Sequence, residues 1–117
     1  MELRIRRVYE PAGDDDGFRV LVDRIWPRGM TRERARVDLW LKQAAPSHAL
    51  RKWYGHDPAK WDEFKRRYFA ELEPKRREIV ERLESAGGPV TLLYSARDEE
   101  RNQAVALREY LSRGGGP

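Results

Sequence analysis

The sequence predicts a single α/β domain, a small three-layer fold with a largely parallel sheet flanked by helices. Three observations predict it. Short apolar runs such as residues 18–23 and 89–94 lack clean alternation, as strands covered on both faces do. Segments of helical spacing, bounded by caps and glycines, lie between such runs. The length, 117 residues, suits one domain, read as residues 1–113 followed by a flexible tail over 114–117.

The elements follow in order. Residues 3–9 read as the first strand, and residues 11–17 as a turn-rich acidic loop of three aspartates ending at Gly17. Residues 18–23 form the second strand. The eight residues between the two strands are too few for a crossover helix, so an antiparallel hairpin stays open beside a parallel arrangement. Trp26-Pro27-Arg28-Gly29 breaks the second strand, Thr31 caps a short helical turn over 32–36, and residues 37–41 are extended. Ser47, after Pro46, caps a helix over 48–54 that Gly55 terminates.

Asp57-Pro58 is the clearest helix start, a capping carboxylate followed by proline in the first turn. Trp61, Phe64, Tyr68, Phe69 and Leu72 follow as one apolar face. The pairs Asp62–Arg66, Glu63–Arg67, Glu71–Lys75 and Glu78–Arg82 make the opposite face self-paired. Pro74 breaks or kinks this helix, and a second piece using Ile79, Val80 and Leu83 runs to Ser85 before Gly87-Gly88 ends it. Residues 89–94 form a buried strand. Asp98 is expected to cap the last helix, with Glu99 and Glu100 in its first turn and Val105, Leu107 and Leu111 facing inward.

Composition narrows the function classes. Charged residues reach 38%, but 24 basic side chains are offset by 20 acidic ones, so the net charge is only +4 and a nucleic-acid footprint would need clustering. There is no cysteine, which excludes disulfides, thiolate nucleophiles and cysteine metal sites. Two histidines are too few for a histidine-rich zinc site, and no metal or cofactor is assigned. No apolar signal core or membrane-length stretch stands out, so a cytoplasmic protein without a membrane partner is expected.

Ligands of open α/β sheets bind outside the carboxyl ends of the strands. That rule selects two segments. The first is Asp23-Arg24-Ile25-Trp26-Pro27-Arg28-Gly29, two arginines beside a carboxylate and an indole. A guanidinium is a planar fork of donors that matches carboxylate or phosphate. The plainer reading is an ion pair between Asp23 and Arg24 or Arg28, with Trp26 in the core. The second is the run from Tyr94 through Ser95 and Asp98 to Asn102, where Ser95 and backbone amides at a helix N-terminus would hold an anion. The plainer reading there is capping by Asp98. A Ser95–His56–Asp57 triad can be assembled on paper, whereas His56 more simply steadies the loop before the long helix.

Four runs together resemble a known family: GFRVLVDRIWPRG from Gly17, DLWLKQAAPS from Asp38, LRKWYGHDPAKWDEFKRRYFAEL from Leu50 and GPVTLLYSARDEERN from Gly88. They are similar to the short bacterial YeaO-like branch of the domain of unknown function 488. The resemblance covers nearly the whole chain. It implies a compact cytoplasmic α/β domain and no established activity. Some members carry a label of MarR-type transcriptional regulator, and the sequence has no winged-helix pattern to match. The family motifs fall on Asp23, Arg24, Trp26, Pro27, Arg28 and Gly29, on Lys42, Pro46 and Ser47, on Trp53, Gly55, His56 and Asp57, and on Asp98 and Asn102. Longer relatives carry cysteine where this chain has Tyr94, and another near Asn102, so their thiol chemistry does not transfer. Short relatives often read His-Asn-His where this chain reads Arg101-Asn102-Gln103.

The reading expected first is a domain that binds an anionic small molecule (phosphate, nucleotide or carboxylate), with or without catalysis. Its candidate ligand-binding residues are Asp23, Arg24, Trp26, Arg28, Lys42, His56, Ser95, Asp98 and Asn102. Arg24 and Arg28 would clamp the anion, Asp23 would orient an arginine or act as a base, and Trp26 would stack on a ring. The alternatives are a nucleic-acid-binding regulator, whose binding would fall steeply with salt, and a partner-binding domain with Trp40, Trp53 or Trp61 at an interface.

Overall fold

A computed structural model describes residues 1–113; the tail expected over 114–117 lies outside the described residues. Four strands, β1 (Leu3–Arg7), β2 (Phe18–Leu21), β3 (Leu39–Trp40) and β4 (Val90–Tyr94), form one sheet in the order β1-β4-β2-β3. Every pairing is parallel. No hairpin joins β1 to β2, because β4 lies between them and pairs with both: Leu3 and Phe18 each face Val90.

The central strands β2 and β4 are buried throughout apart from Phe18, which explains their mostly apolar sequence; the polar exceptions, Arg19 and Thr91, are buried and paired. Their side chains alternate between two unequal cores. Val20, Val22, Val90, Leu92 and Tyr94 meet helices α2 (His48–Tyr54), α3 (Trp61–Leu72), α4 (Arg76–Glu84) and α5 (Gln103–Ser112) in the larger one. Leu21 and Leu93 point the other way and pack with Val8, Met30 and Ala35 of the short helix α1 (Arg32–Ala35), with Trp26 and Trp40 at the margin. Among the described residues, no helix is long and apolar enough to cross a membrane.

The connection from β1 to β2 holds no helix and is fastened by polar contacts. Gly17 has φ +69, and a Cβ there would lie 2.3 Å from the Pro89 carbonyl oxygen, so glycine is required. Asp16 and Arg19 form a buried ion pair, and Thr91 Oγ1 donates to the Asp16 carbonyl at 2.6 Å.

The caps follow the sequence with two exceptions. Thr31 and Ser47 accept from Arg34 and Leu50 amides, Arg36 and Gly55 end α1 and α2 in the left-handed region, and Asp57 caps a single 3-10 turn that leads into α3. Pro74 sits in another such turn between α3 and α4. Asp98, however, does not cap the last helix. Its carboxylate accepts from the Glu100 and Arg101 amides in a separate turn, and Asn102 caps α5 by accepting from Val105. A carboxylate followed by free amides closes its own local turn, and the helix starts at the next side chain able to cap it. Hence Glu99 and Glu100 precede the helix, and Val105 is only half-buried while Ala104, Ala106, Leu107, Tyr110 and Leu111 face the core. The second exception is Glu71, which turns from Lys75 to accept from the Ser47 amide (2.8 Å) and hydroxyl (2.6 Å). A partly buried cap offers it two donors, where Lys75 would offer one solvated charge.

Candidate functional site

A cleft of about 300 Å³ opens at the carboxyl ends of β2 and β4, where the strand-end rule directs attention. The segment after β2 supplies Asp23, Arg24, Ile25, Trp26 and Arg28, and the segment after β4 supplies Ser95 and Ala96. Pro46, Arg51 of α2, His56 and Gln103 of α5 complete the wall.

The wall is built on a fastened frame. The Asp23 carbonyl accepts from Trp40 Nε1 at 2.7 Å, and Trp26 Nε1 donates to the Met30 carbonyl at 2.7 Å. The two indoles meet edge to face, 5.4 Å apart. Tyr9 holds the Arg28 carbonyl at 2.7 Å, leaving the guanidinium exposed. The α2 helix is locked at its start by Ser47 and Glu71, and near its end by the Tyr54 hydroxyl, which donates to the Arg101 carbonyl at 3.1 Å. Gly55 and His56 both take left-handed backbone (φ 53 and 58), a sharp reversal that carries His56 to the cleft.

At the floor lies Asp23, 6% exposed. Its Oδ1 accepts from Gln103 Nε2, while Oδ2 is buried with no hydrogen-bond partner among the described residues. Burial pushes the carboxyl up to about 6. The Ser95 hydroxyl and amide and the Arg51 charge act in the opposite direction, without reaching hydrogen-bond geometry to Oδ2.

Asp23 forms no ion pair with Arg24 or Arg28, contrary to the plainer expectation. Arg24 instead donates to the carbonyls of Pro46 (3.1 Å) and Ala45 (3.3 Å), because two backbone acceptors in a turn suit a fork of donors. Its Nη1 makes no hydrogen bond among the described residues. Trp26 lines the cleft but has its ring against Trp40 on one side and Arg32 5.3 Å away, so it belongs to the smaller core as well.

Six of the nine expected residues thus converge: Asp23, Arg24, Trp26, Arg28, His56 and Ser95. Three do not. Lys42 lies 4.1 Å over the Trp40 ring, outside the cleft. Asp98 and Asn102 are spent on the turn before α5 and on its cap. Ser95 is not at a helix N-terminus, since α5 begins at Gln103, and the Ser95 carbonyl accepts from Arg7. Asp57 is likewise committed to the Ala59 amide, so no triad forms from it. No cluster of three or more metal-ligating side chains occurs among the described residues.

Sequence reasoning missed Arg51 and Gln103. Nothing marks Arg51 as different from the other exposed bases of its helix. Gln103 had a signal, because the family resemblance places it where short relatives often carry histidine.

The fold and cleft define a class: a small parallel α/β domain with an arginine-walled pocket over the strand ends. The chain belongs to the family described as the inactive DUF488-N3 subclade, whose model matches residues 2–114. It is 42% identical over 110 residues to uncharacterized protein Rv3073c of Mycobacterium tuberculosis, covering 94% of this chain and 93% of that one. It is 38% identical over 112 residues to uncharacterized protein YeaO of Escherichia coli, covering 95% and 97%. No solved structure matches the chain.

Proposed function

We propose that the protein binds a small anionic molecule, carrying a phosphate or a carboxylate, in the cleft between Arg24, Arg28 and Arg51. The observation that carries this reading is the charge balance of the lining: three arginines and one carboxylate. Arginine stays charged at any physiological pH, so such a wall keeps its positive charge across that range. The volume is at the small end of ligand pockets, which favours a compact ligand. The family's description as inactive fits a pocket that holds a ligand without turning it over. The absence of cysteine fits a cytoplasmic setting.

The nucleic-acid reading has less support. Glu63 pairs with both Arg66 and Arg67 on α3, and their hydrogen bonds hold its carboxyl down at about 2. The most basic run of that helix is therefore partly offset by acidic neighbours, Glu63 for Arg66 and Arg67 and Glu109 for Lys65.

A thermal-shift series tests the proposal, using inorganic phosphate, nucleotides and small carboxylates on the wild type and on Arg28→Ala and Arg51→Ala. Both side chains are exposed, so the variants keep the fold. A ligand at a hundred times its Kd adds about 2.7 kcal/mol of stability. The expected result is a shift with one anion class that is lost in both variants. A flat series with a folded wild type, or a shift that survives both substitutions, overturns the reading.

A further inference from the structure

The arginines account for a negative group but leave one feature of the cleft unexplained. A buried carboxylate oxygen with no donor is costly, and native structures seldom keep one without a use for it. Asp23 lines the cleft, yet of its two oxygens only Oδ1 is satisfied, by Gln103, while Oδ2 is buried beneath the lining without a partner among the described residues. Arg24 is turned to the carbonyls of Ala45 and Pro46 and Trp40 to the Asp23 carbonyl, while the nearby Ser95 hydroxyl and amide favour the charged carboxylate without reaching hydrogen-bond geometry to Oδ2.

We propose that Asp23 Oδ2 is the receptor for a hydroxyl group of the ligand, so that the pocket takes a small hydroxylated anion: a polyol or sugar phosphate, or a hydroxy acid. This rests on the anion reading above and adds to it a second point of recognition.

The donor must be neutral. A ligand ammonium would bring a further positive charge into a wall that already holds Arg24, Arg28 and Arg51. A hydroxyl completes Oδ2 without adding charge, and it carries an acceptor lone pair for Ser95, whose hydroxyl also lines the cleft. Recognition by a buried polar group discriminates strongly, because an analogue that lacks the hydroxyl leaves the carboxylate oxygen desolvated and unpaired. The ligand is compact, since the cleft of about 300 Å³ leaves no room for a dinucleotide.

The decisive comparison is on the ligand side and uses the wild-type protein. Titration calorimetry at neutral pH compares glycerol phosphate and ribose phosphate with propyl phosphate, and glycerate with propionate. The phosphate and carboxylate arms identify the anionic group. The expected result is that, in one arm, the hydroxylated member binds about tenfold to a hundredfold more tightly than its hydroxyl-free partner, the range for a hydrogen bond to a charged group. In Asp23→Leu, which removes the acceptor and keeps the side chain's branching, that ratio collapses to about one while the hydroxyl-free anion still binds. Equal affinity for both members of each pair in the wild type overturns this inference and leaves the anion reading standing. A preference that persists in Asp23→Leu also overturns it, and assigns the hydroxyl to another group. If none of these anions binds, the anion reading fails and this inference fails with it.

Discussion

Asp16 precedes β2 and Asp23 follows it, so one short strand has a buried carboxylate near each end. The two are almost equally inaccessible, at 2% and 6% exposure. Their surroundings are opposite. Asp16 accepts from the Gly13 amide at 2.9 Å and from Arg19 Nη1, and it faces Arg6 at 3.2 Å. Arg19 spends its remaining donors on the Ala35 and Arg36 carbonyls. Burial alone would raise the Asp16 carboxyl, but the Gly13 amide, Arg19 and Arg6 outweigh it and hold it below the usual range. Asp23 has one donor, one empty oxygen and a carboxyl raised to about 6. The difference teaches where this fold stores stability and where it gives it up. The amino end of β2 is a closed polar lock, and the carboxyl end is an open one, the point at which the proposed ligand would dock.

Breaking the lock has the largest expected effect. Asp16→Ala leaves Arg19 buried without its counter-charge, and the cost is about 3–5 kcal/mol. Urea denaturation measures it, and a loss below about 1 kcal/mol would mean that Asp16 and Asp23 are not different in kind.

The open end responds with the opposite sign. The folded Asp23 carboxyl is raised from 3.8 to about 6, so between these values the folded state binds more protons than the unfolded one. Its cost is full above about pH 6, shrinks as pH falls, and is gone below about pH 4. Asp23→Asn keeps the shape and removes the charge. At pH 7 it should stabilise the protein by on the order of 2–3 kcal/mol, and at pH 4 the gain should vanish. An Asn variant that is less stable than wild type at neutral pH would show Asp23 to be structurally satisfied.

Smaller changes sharpen the contrast at the rim. Ser47→Ala removes the cap of α2 and a partner of Glu71, at about 1–2 kcal/mol, and should loosen Arg51 as well. Denaturation reads the first effect, and weaker binding of whichever anion shifts the wild type reads the second. His56→Gly relieves the left-handed backbone at φ 58 and should change stability least, a gain of up to about 1 kcal/mol. A loss on that substitution would give the His56 side chain a packing role that its exposure does not suggest.

Much of the frame was legible in the chain. The runs at β2 and β4 read as doubly covered strands because both faces are apolar, and Ser47, Gly55 and Asp57-Pro58 marked helix ends through chemistry confined to a few residues. The cluster Asp23, Arg24, Trp26, Arg28 was legible because strand ends in such sheets meet ligands. Asp98 misled for the same local reason that made the others work: a capping side chain closes whichever turn is nearest.

By itself, then, the sequence determined most of the elements, a largely parallel sheet with the pairing of its first two strands left open, and the two strand ends between which the cleft lies, since periodicity, caps and turn residues act over a few neighbours. Only the tertiary structure decided that β4 enters between β1 and β2, that Arg51 and Gln103 reach the cleft, and that Asp16 is answered while Asp23 is not. Those outcomes depend on which donors arrive from distant parts of the chain, and a side chain's neighbours across a sheet are not written in its neighbours along the sequence.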